Sequence, residues 1–456
     1  MKYSEVQSLT SIDSAFRGNT TIVTFDEFEK FIGVTALTTA NANAPGSFNG
    51  CKNLTSIKFP YSIKSLQYGS FCNCKNLKID VSIPNLESIG DWAFLNTSIK
   101  RVLNLGNITN IPGGSNVTSN GTFNGCTSLI EFVCPETVTS IGQNAFRNCK
   151  SLSSFNIPTA LKRLEGEAFY NCTSLVINDL SLPNLTSLGQ NAFYGVKIKK
   201  ISNLGKMTAL PTATSSTQNF GSKSVLEEFV IPSGITTLPS YTFCGYKTLA
   251  SIHPEGSTSA FDLGDLTSIG RNCFENCIGL TETPDLTKIK TIGEYAFEGA
   301  NNINFGDLIL PNLTSIGIRA FHANNSGLRR ILDLGSITTL EANNGTNVNG
   351  TFVSCLALEL AILPSTLTKM GTSWQPFINC IKLATMIVKA ETPPSLGSKF
   401  ELRQHVSSSL KIYVPDGSVE AYKTATNWAR HESIIFPISQ LVTDNAELYN
   451  EISQYL

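Results

Sequence analysis

Hydrophobic positions recur along this chain in a fixed frame. A phenylalanine returns at Phe48, Phe71, Phe94, Phe123, Phe146, Phe169, Phe193, Phe220, Phe243, Phe274, Phe297, Phe321, Phe352 and Phe377. The intervals are 23, 23, 29, 23, 23, 24, 27, 23, 31, 23, 24, 31 and 25 residues. Six residues after the phenylalanine comes Leu or Ile in eleven of the fourteen copies, as at Leu54, Leu129, Leu152, Leu226 and Leu383. Eight and five residues before it stand further aliphatics, often followed by glycine: Val138, Ile141 and Gly142 precede Phe146, and Ile289, Ile292 and Gly293 precede Phe297. A base period of 23 residues is the mark of a solenoid, in which a unit too small to fold alone buries its apolar side against its neighbours.

The same pattern predicts the elements inside a unit. Leu54, Ile57 and Phe59 alternate with polar residues up to Pro60, which reads as a short strand ended by a breaker. The glycine after the second aliphatic is expected at a turn that needs positive φ. The phenylalanine and its flanks, such as Asn144-Ala145-Phe146-Arg147-Asn148-Cys149, suit a short helical or irregular turn. The fold predicted is a β-rich repeat solenoid of short parallel strands, with about fourteen rungs of ~23 residues and capping ends. Residues 1–46 are assigned to an N-terminal cap, 47–390 to the solenoid, and 391–456 to a repeat remnant and a cap helix. In the N-terminal stretch, Thr24-Phe25-Asp26-Glu27-Phe28 fits a capping box that opens an amphipathic helix with Phe28 and Phe31 inward. At the other end Ser418 is expected to cap a helix over 419–428, whose Tyr422 and Trp428 shield the last rung.

A longer repeat overlies the short one. Residues 77–109, 175–208 and 303–338 share the core P-N-L-x-S-(I/L)-G, and these three copies are the exceptions to the Leu six residues after Phe. A basic pair follows in each, Lys100-Arg101, Lys199-Lys200 and Arg329-Arg330, and then a polar insertion: GGSNVTSNG, TATSSTQN or EANNGTNVN. The pairs are four and five rungs apart, too far to form one anion site, and a solvated rim explains them best. The insertions are the better binding candidates, because loops on one side of a solenoid carry recognition.

The unit L-x-x-I-x-(I/F)-P followed by (V/L)-T-S-I-G-x-x-A-F-x-x-C resembles the BspA-type leucine-rich repeat over about residues 48–440. Ile412-Tyr413-Val414-Pro415-Asp416-Gly417-Ser418 and the residues to Trp428 resemble that family's C-terminal cap. The resemblance implies a curved stack of parallel strands and a cell-surface adhesion or host-interaction role. It implies no catalytic residue.

Composition narrows the chemistry. Lys plus Arg total 34 and Asp plus Glu 35, so the net charge is -1 and no basic excess points to nucleic acid. Charged residues are only 15% of the chain against 41% hydrophobic, which excludes disorder. No apolar run is long enough to insert in a membrane, and the start MKYSEVQSLT has no export-signal pattern. Eight of the twelve cysteines stand three residues after the phenylalanine: Cys51, Cys74, Cys126, Cys149, Cys172, Cys277, Cys355 and Cys380. A column of buried, reduced thiols is the favoured reading over rung-to-rung disulfides or a metal. The histidines His253, His322, His405 and His431 are scattered, no nucleophile, phosphate or dinucleotide motif occurs, and neither cofactor nor metal is expected. Because the phenylalanines are core, no aromatic stacking platform is expected either.

These observations favour a non-enzymatic, monomeric module that binds a host or neighbouring-cell protein or glycan through its strand face and inserted loops. Ser56, Lys58, Glu131, Glu228 and His253 are the candidate contact residues, being polar strand positions beside inward aliphatics. A virion or tail-attachment protein of a bacterial virus is the alternative. A polysaccharide-cleaving β-helix is remote, because no carboxylates stack in register.

Overall fold

The computed structural model describes residues 3–37, 46–114, 120–323, 327–340, 350–371, 376–397 and 406–456. The chain divides into two compact units: Met1–Pro211 with Ser216–Leu226, and Thr212–Ser215 with Glu227–Leu456. Each unit is a parallel-strand solenoid, and together they make about fourteen turns with little helix.

Most turns contribute two short strands, which join separate ladders, and then a tight loop centred on the repeat phenylalanine. In the first unit one ladder runs Asp80–Ser82, Arg101–Asn104, Glu131–Phe132 and Ser154–Phe155. The other runs Asn110–Ile111, Ser140–Ile141, Arg163–Leu164 and Ser187–Leu188. In the second unit the corresponding ladders include Leu328–Asp333, Leu360–Leu363, Thr385–Val388 and Lys411–Val414, and Thr237–Leu238, Ser268–Ile269, Thr291–Ile292 and Ser315–Ile316. All pairings are parallel and place like residues side by side, so Val102 meets Phe132 and Phe132 meets Phe155. Inward aliphatics thus form columns, which is why the grid recurs in register.

The third side is built by the phenylalanines. Successive rings stack 5.1–5.8 Å apart and within 7° of parallel from Phe16 through Phe48, Phe71, Phe94, Phe123, Phe146 and Phe169 to Phe193, apart from the Phe71–Phe94 pair at 9°. Phe243, Phe274, Phe297, Phe321, Phe352 and Phe377 continue the pattern in the second unit. A strand phenylalanine such as Phe155 meets Phe146 and Phe169 edge-on, the arrangement that ring quadrupoles favour.

The thiols behave as a column. All twelve cysteines are free and buried. Cys74 Sγ donates to Phe48 O at 3.0 Å, Cys126 to Phe94 O at 3.0 Å, Cys149 to Phe123 O at 3.1 Å and Cys277 to Phe243 O at 2.9 Å, each one rung back. Where threonine stands instead, Thr97 Oγ1 donates to Phe94 O at 2.9 Å.

Three local expectations are corrected. Gly142, Gly270 and Gly293 do not have positive φ; a Cβ on Gly270 or Gly293 would lie 2.5 Å from the amide nitrogen of Ser240 or Arg271 in the previous rung. Close backbone approach, not handedness, selects glycine there. The left-handed residues lie two before and two after the phenylalanine, as at Asn144 (φ 60) and Asn148 (φ 62) around Phe146. Second, Thr24–Phe25 is a strand paired with Ser56–Ile57, and Ala36–Leu37 pairs with Ser65–Leu66, so the N-terminal stretch contributes a rung of its own. Asp26–Lys30 is a 3-10 turn with no side-chain cap, although Phe28 and Phe31 are buried as expected. Third, the C-terminal helix spans only Val419–Thr424 and Ser418 makes no capping bond. Tyr422 and Trp428 are nevertheless buried, with Tyr422 Oη donating to Ala390 O at 2.7 Å and Trp428 Nε1 to Pro394 O at 2.7 Å.

Candidate functional site: the open strand face

The ladder from Asp80–Ser82 to Ser154–Phe155 presents one face inward and one outward. In the first unit the outward side chains Asp80, Ser82, Arg101, Leu103, Val133 and Ser154 are exposed, and Glu131 is half-buried. Arg101 Nη2 reaches Asp80 Oδ2 at 2.6 Å and holds that carboxyl below the usual carboxylate range. Leu103 and Val133, 39% and 41% exposed, follow the paired inward residues Val102 and Phe132 on neighbouring strands. They give this polar face an apolar centre.

The structure sorts the predicted contact residues between the units. Ser56 Oγ donates to Asp26 Oδ1 at 2.5 Å, and Lys58 Nζ lies 3.9 Å from Glu29 Oε2, so both are engaged by the N-terminal 3-10 turn. Glu131 sits beside Arg101 and Ser154 in the first unit. Glu228 and His253 face each other in the second, Oε1 to Nε2 at 3.4 Å, while His253 Nδ1 lies 2.9 Å from Pro254 O. The set therefore does not converge; it marks points along two stretches of one kind of face. His405, the insertion 341–349 and residues 115–119 of the insertion 113–121 lie outside the described residues.

The basic pairs are explained by register. Arg101 pairs with Asp80, Lys200 stands opposite Asp179, and Arg330 pairs with Asp307 and, at 2.5 Å, with Glu451. The second base of each pair thus answers an aspartate one strand back.

In the last rungs the outward face is covered by the chain itself. Helices Ile438–Asp444 and Ala446–Ile452 lay Leu441 and Ile452 on Leu332, Leu360, Ile362, Ile387 and Tyr413. Lys411 Nζ and Tyr413 Oη both reach Asp444 Oδ2, at 2.8 and 2.7 Å, and Lys389 Nζ donates to Tyr455 O at 2.6 Å. Sequence reasoning missed this helical hairpin. Its signal was present: Leu360–Leu363 and Thr385–Val388 read Leu-Ala-Ile-Leu and Thr-Met-Ile-Val, runs of apolar residues that require burial on both sides of the strand.

A second omission lies at the corner before the phenylalanine loop. Tyr68 and Trp92 pack with ring centroids 4.8 Å apart, and Tyr170 and Tyr194 stack at 4.4 Å. All four are half-buried and outside the phenylalanine column. The expectation that aromatic residues are consumed by the core is corrected accordingly. Their spacing from the phenylalanine, three or two before it or one after it, was the available signal.

Grooves among the described residues are shallow and open. One of about 610 Å³ is lined by Arg329, Arg330, Glu359, Lys382, Glu447 and Glu451 among others. Among the described residues no group of three or more His, Cys, Asp or Glu side chains could hold a metal ion, and no helix is long and apolar enough to cross a membrane.

Comparison with known proteins agrees with the geometry of the rungs. The profile described as “BspA type Leucine rich repeat region” matches residues 6–117, 39–175, 104–218, 213–344 and 267–398. The chain belongs to this family. The match begins at residue 6, consistent with the N-terminal rung seen at Thr24–Phe25. No curated protein matches the chain. Among solved structures, this BspA-type chain is similar to a leucine-rich repeat protein from Bacteroides ovatus ATCC 8483, at 20% identity over 86% of this chain and 87% of that one, TM-score 0.45. It is also similar to a leucine rich cell surface protein from Faecalibacterium prausnitzii A2-165 (18% identity, 83% and 86% covered, TM-score 0.38). A third similar structure is the pneumococcal vaccine antigen PcpA (16% identity, 89% and 83% covered, TM-score 0.34).

Proposed function

We propose that this BspA-type chain is a non-enzymatic interaction module displayed at a cell surface, binding a host or neighbouring-cell protein or glycan as a monomer. The observation that carries this reading is the contrast along the strand face. Where the face bears Leu332, Leu360, Ile362, Ile387 and Tyr413 it seats two helices of the same chain, whereas around Asp80, Arg101, Leu103 and Val133 it is open. The face is therefore of a kind that accepts a macromolecular element, and a broad shallow surface suits a large partner better than a small ligand. A surface location is supported by membership of the BspA-type family and by the name of the Faecalibacterium protein, a cell surface protein.

The test is a host-matrix protein and glycan array, repeated with the double variant Leu103→Asp, Val133→Asp. Binding that drops at least tenfold in this variant, but persists in Ser187→Lys on the other ladder, is the expected result. Equal binding by all three proteins would remove the strand face from the proposal.

A further inference from the structure

The corner between the second strand and the phenylalanine loop is where the rungs differ most in length. From the last inward aliphatic to the phenylalanine the chain takes five residues in most rungs, as from Leu66 to Phe71 and from Ile89 to Phe94. It takes eleven from Leu37 to Phe48 and twelve from Ile111 to Phe123. The rungs of Tyr68 and Trp92 are thus two short turns flanked by two long ones. Gly46 N donates to Tyr68 O at 2.9 Å and Thr122 lies beside Gly90 O, so the described ends of both long turns rejoin the stack next to this pair.

Trp92 holds a left-handed backbone. It stands two residues before the phenylalanine with φ 60, a left-handed position that other rungs fill with Gly69, Asn144, Asn191 or Asn272, and also with Glu167, Tyr241, Tyr295 and Arg319. A bulky residue in this region carries strain that asparagine and glycine avoid. Tyr295 has the same conformation (φ 58), but its ring lies between Arg271 and Arg319, whose guanidinium carbons are 5.2 and 5.6 Å from its centroid. Likewise Arg147 covers Tyr170 at 4.3 Å. Tyr68 and Trp92 have only each other among the described ring contacts, and both remain half-buried. Beside them is Asp91, whose carboxyl is pushed above its usual range by burial and whose charge acts on the Tyr68 phenol.

We propose that Tyr68, Trp92 and Asp91 form a binding subsite for a neutral pyranose unit of a glycan. An aromatic surface offers the apolar face of a sugar ring a partner, and the adjacent carboxyl and phenol offer acceptors and a donor to its hydroxyls. No guanidinium or ammonium lies over the pair among the described contacts, which argues against anionic sugars, phosphate and nucleic acid. This deepens the interaction-module reading by naming a ligand class, but the site is on a different side from Leu103 and Val133.

Cellohexaose, chitohexaose and mannohexaose, titrated against the full chain by calorimetry and tryptophan emission, test the proposal. At least one is expected to bind and to change the emission. Trp92→Asn should weaken that binding at least tenfold while the melting temperature stays level or rises, because asparagine fills this backbone in other rungs, at Asn144, Asn191 and Asn272. Asp91→Asn should weaken binding without lowering the melting temperature, and Leu103→Asp, Val133→Asp should leave it unchanged. No binding of any of the three sugars up to 10 mM would overturn the proposal. So would full binding by Trp92→Asn, or a melting temperature lowered in that variant, which would make Trp92 a packing residue.

Discussion

The cysteine that stands three residues after eight of the fourteen phenylalanines solves a local problem of the loop. The phenylalanine carbonyl of the previous rung has a lone pair beyond its backbone bond, and the small thiol donates to it. Cys126 does so toward Phe94 O at 3.0 Å, and burial pushes its thiol up to about 12. The thiolate needed for reaction is therefore scarce at neutral pH. Native protein at pH 8 should react slowly with a disulfide reagent, and unfolding should release close to all twelve thiols; few reactive thiols after unfolding would reveal cross-linked rungs. Cys126→Ser should be tolerated better than Cys126→Ala, by about 1 kcal/mol, because alanine deletes the donor to Phe94 O and leaves a void, while Phe94 O keeps only its bonds from Thr97. Gly293 offers a sharper distinction. Crowding against Arg271 N predicts that Gly293→Asn is at least as damaging as Gly293→Ala, each losing about 1–3 kcal/mol in urea melts. If handedness selected glycine, asparagine would be the milder change. The thiol column was legible in the sequence because its spacing is strict. The glycine was misread because sequence reveals that a Cβ is excluded without revealing which neighbour excludes it.

At the scale of the element, strands of two residues hold because they are stacked, so the stacked rings decide stability. Phe146 is fully buried between Phe123 and Phe169, and Phe146→Ala should cost roughly 3–5 kcal/mol by denaturant unfolding. Lys150→Ala, at an exposed site, should stay within about 0.5 kcal/mol. Arg147 is not a neutral control, since it pairs with Glu167 and lies over Tyr170. The central rungs could be read directly because their intervals stay near 23. The first rung escaped because thirty-two residues separate Phe16 from Phe48, although Phe16 stacks on Phe48 at 5.2 Å. The C-terminal hairpin escaped for another reason: its helices have seven residues each, too short to announce themselves by periodicity. Its polar latch is testable by pH. Lys411 and Tyr413 hold the Asp444 carboxyl below its usual range, so the stabilisation exists above the unfolded value near 4 and is lost as pH falls through the lower folded one. Asp444→Asn should therefore melt below the parent at pH 7, with the gap closing toward pH 2.

For the whole molecule, the low charge and near-zero net charge place stability in apolar columns and neutral hydrogen bonds rather than in ion pairs. The C-terminal hairpin is the principal cover of an apolar outward face among the described residues. Removing residues 438–456 should expose Leu332, Leu360, Ile362, Ile387 and Tyr413, raising binding of a hydrophobic dye and promoting self-association in light scattering. A truncated protein that stayed monomeric and dye-silent would show that these rungs do not need their cover. The side-chain columns have one further consequence. Cys149 donates back to Phe123 O, Thr186 to Lys162 O, and Asn312 to Thr287 O, each toward a rung that precedes it in the chain. A ribosome delivers the polypeptide in that same order. Each emerging rung therefore meets acceptors already in place, and the stack is suited to growth during synthesis, one completed turn serving as the template for the next.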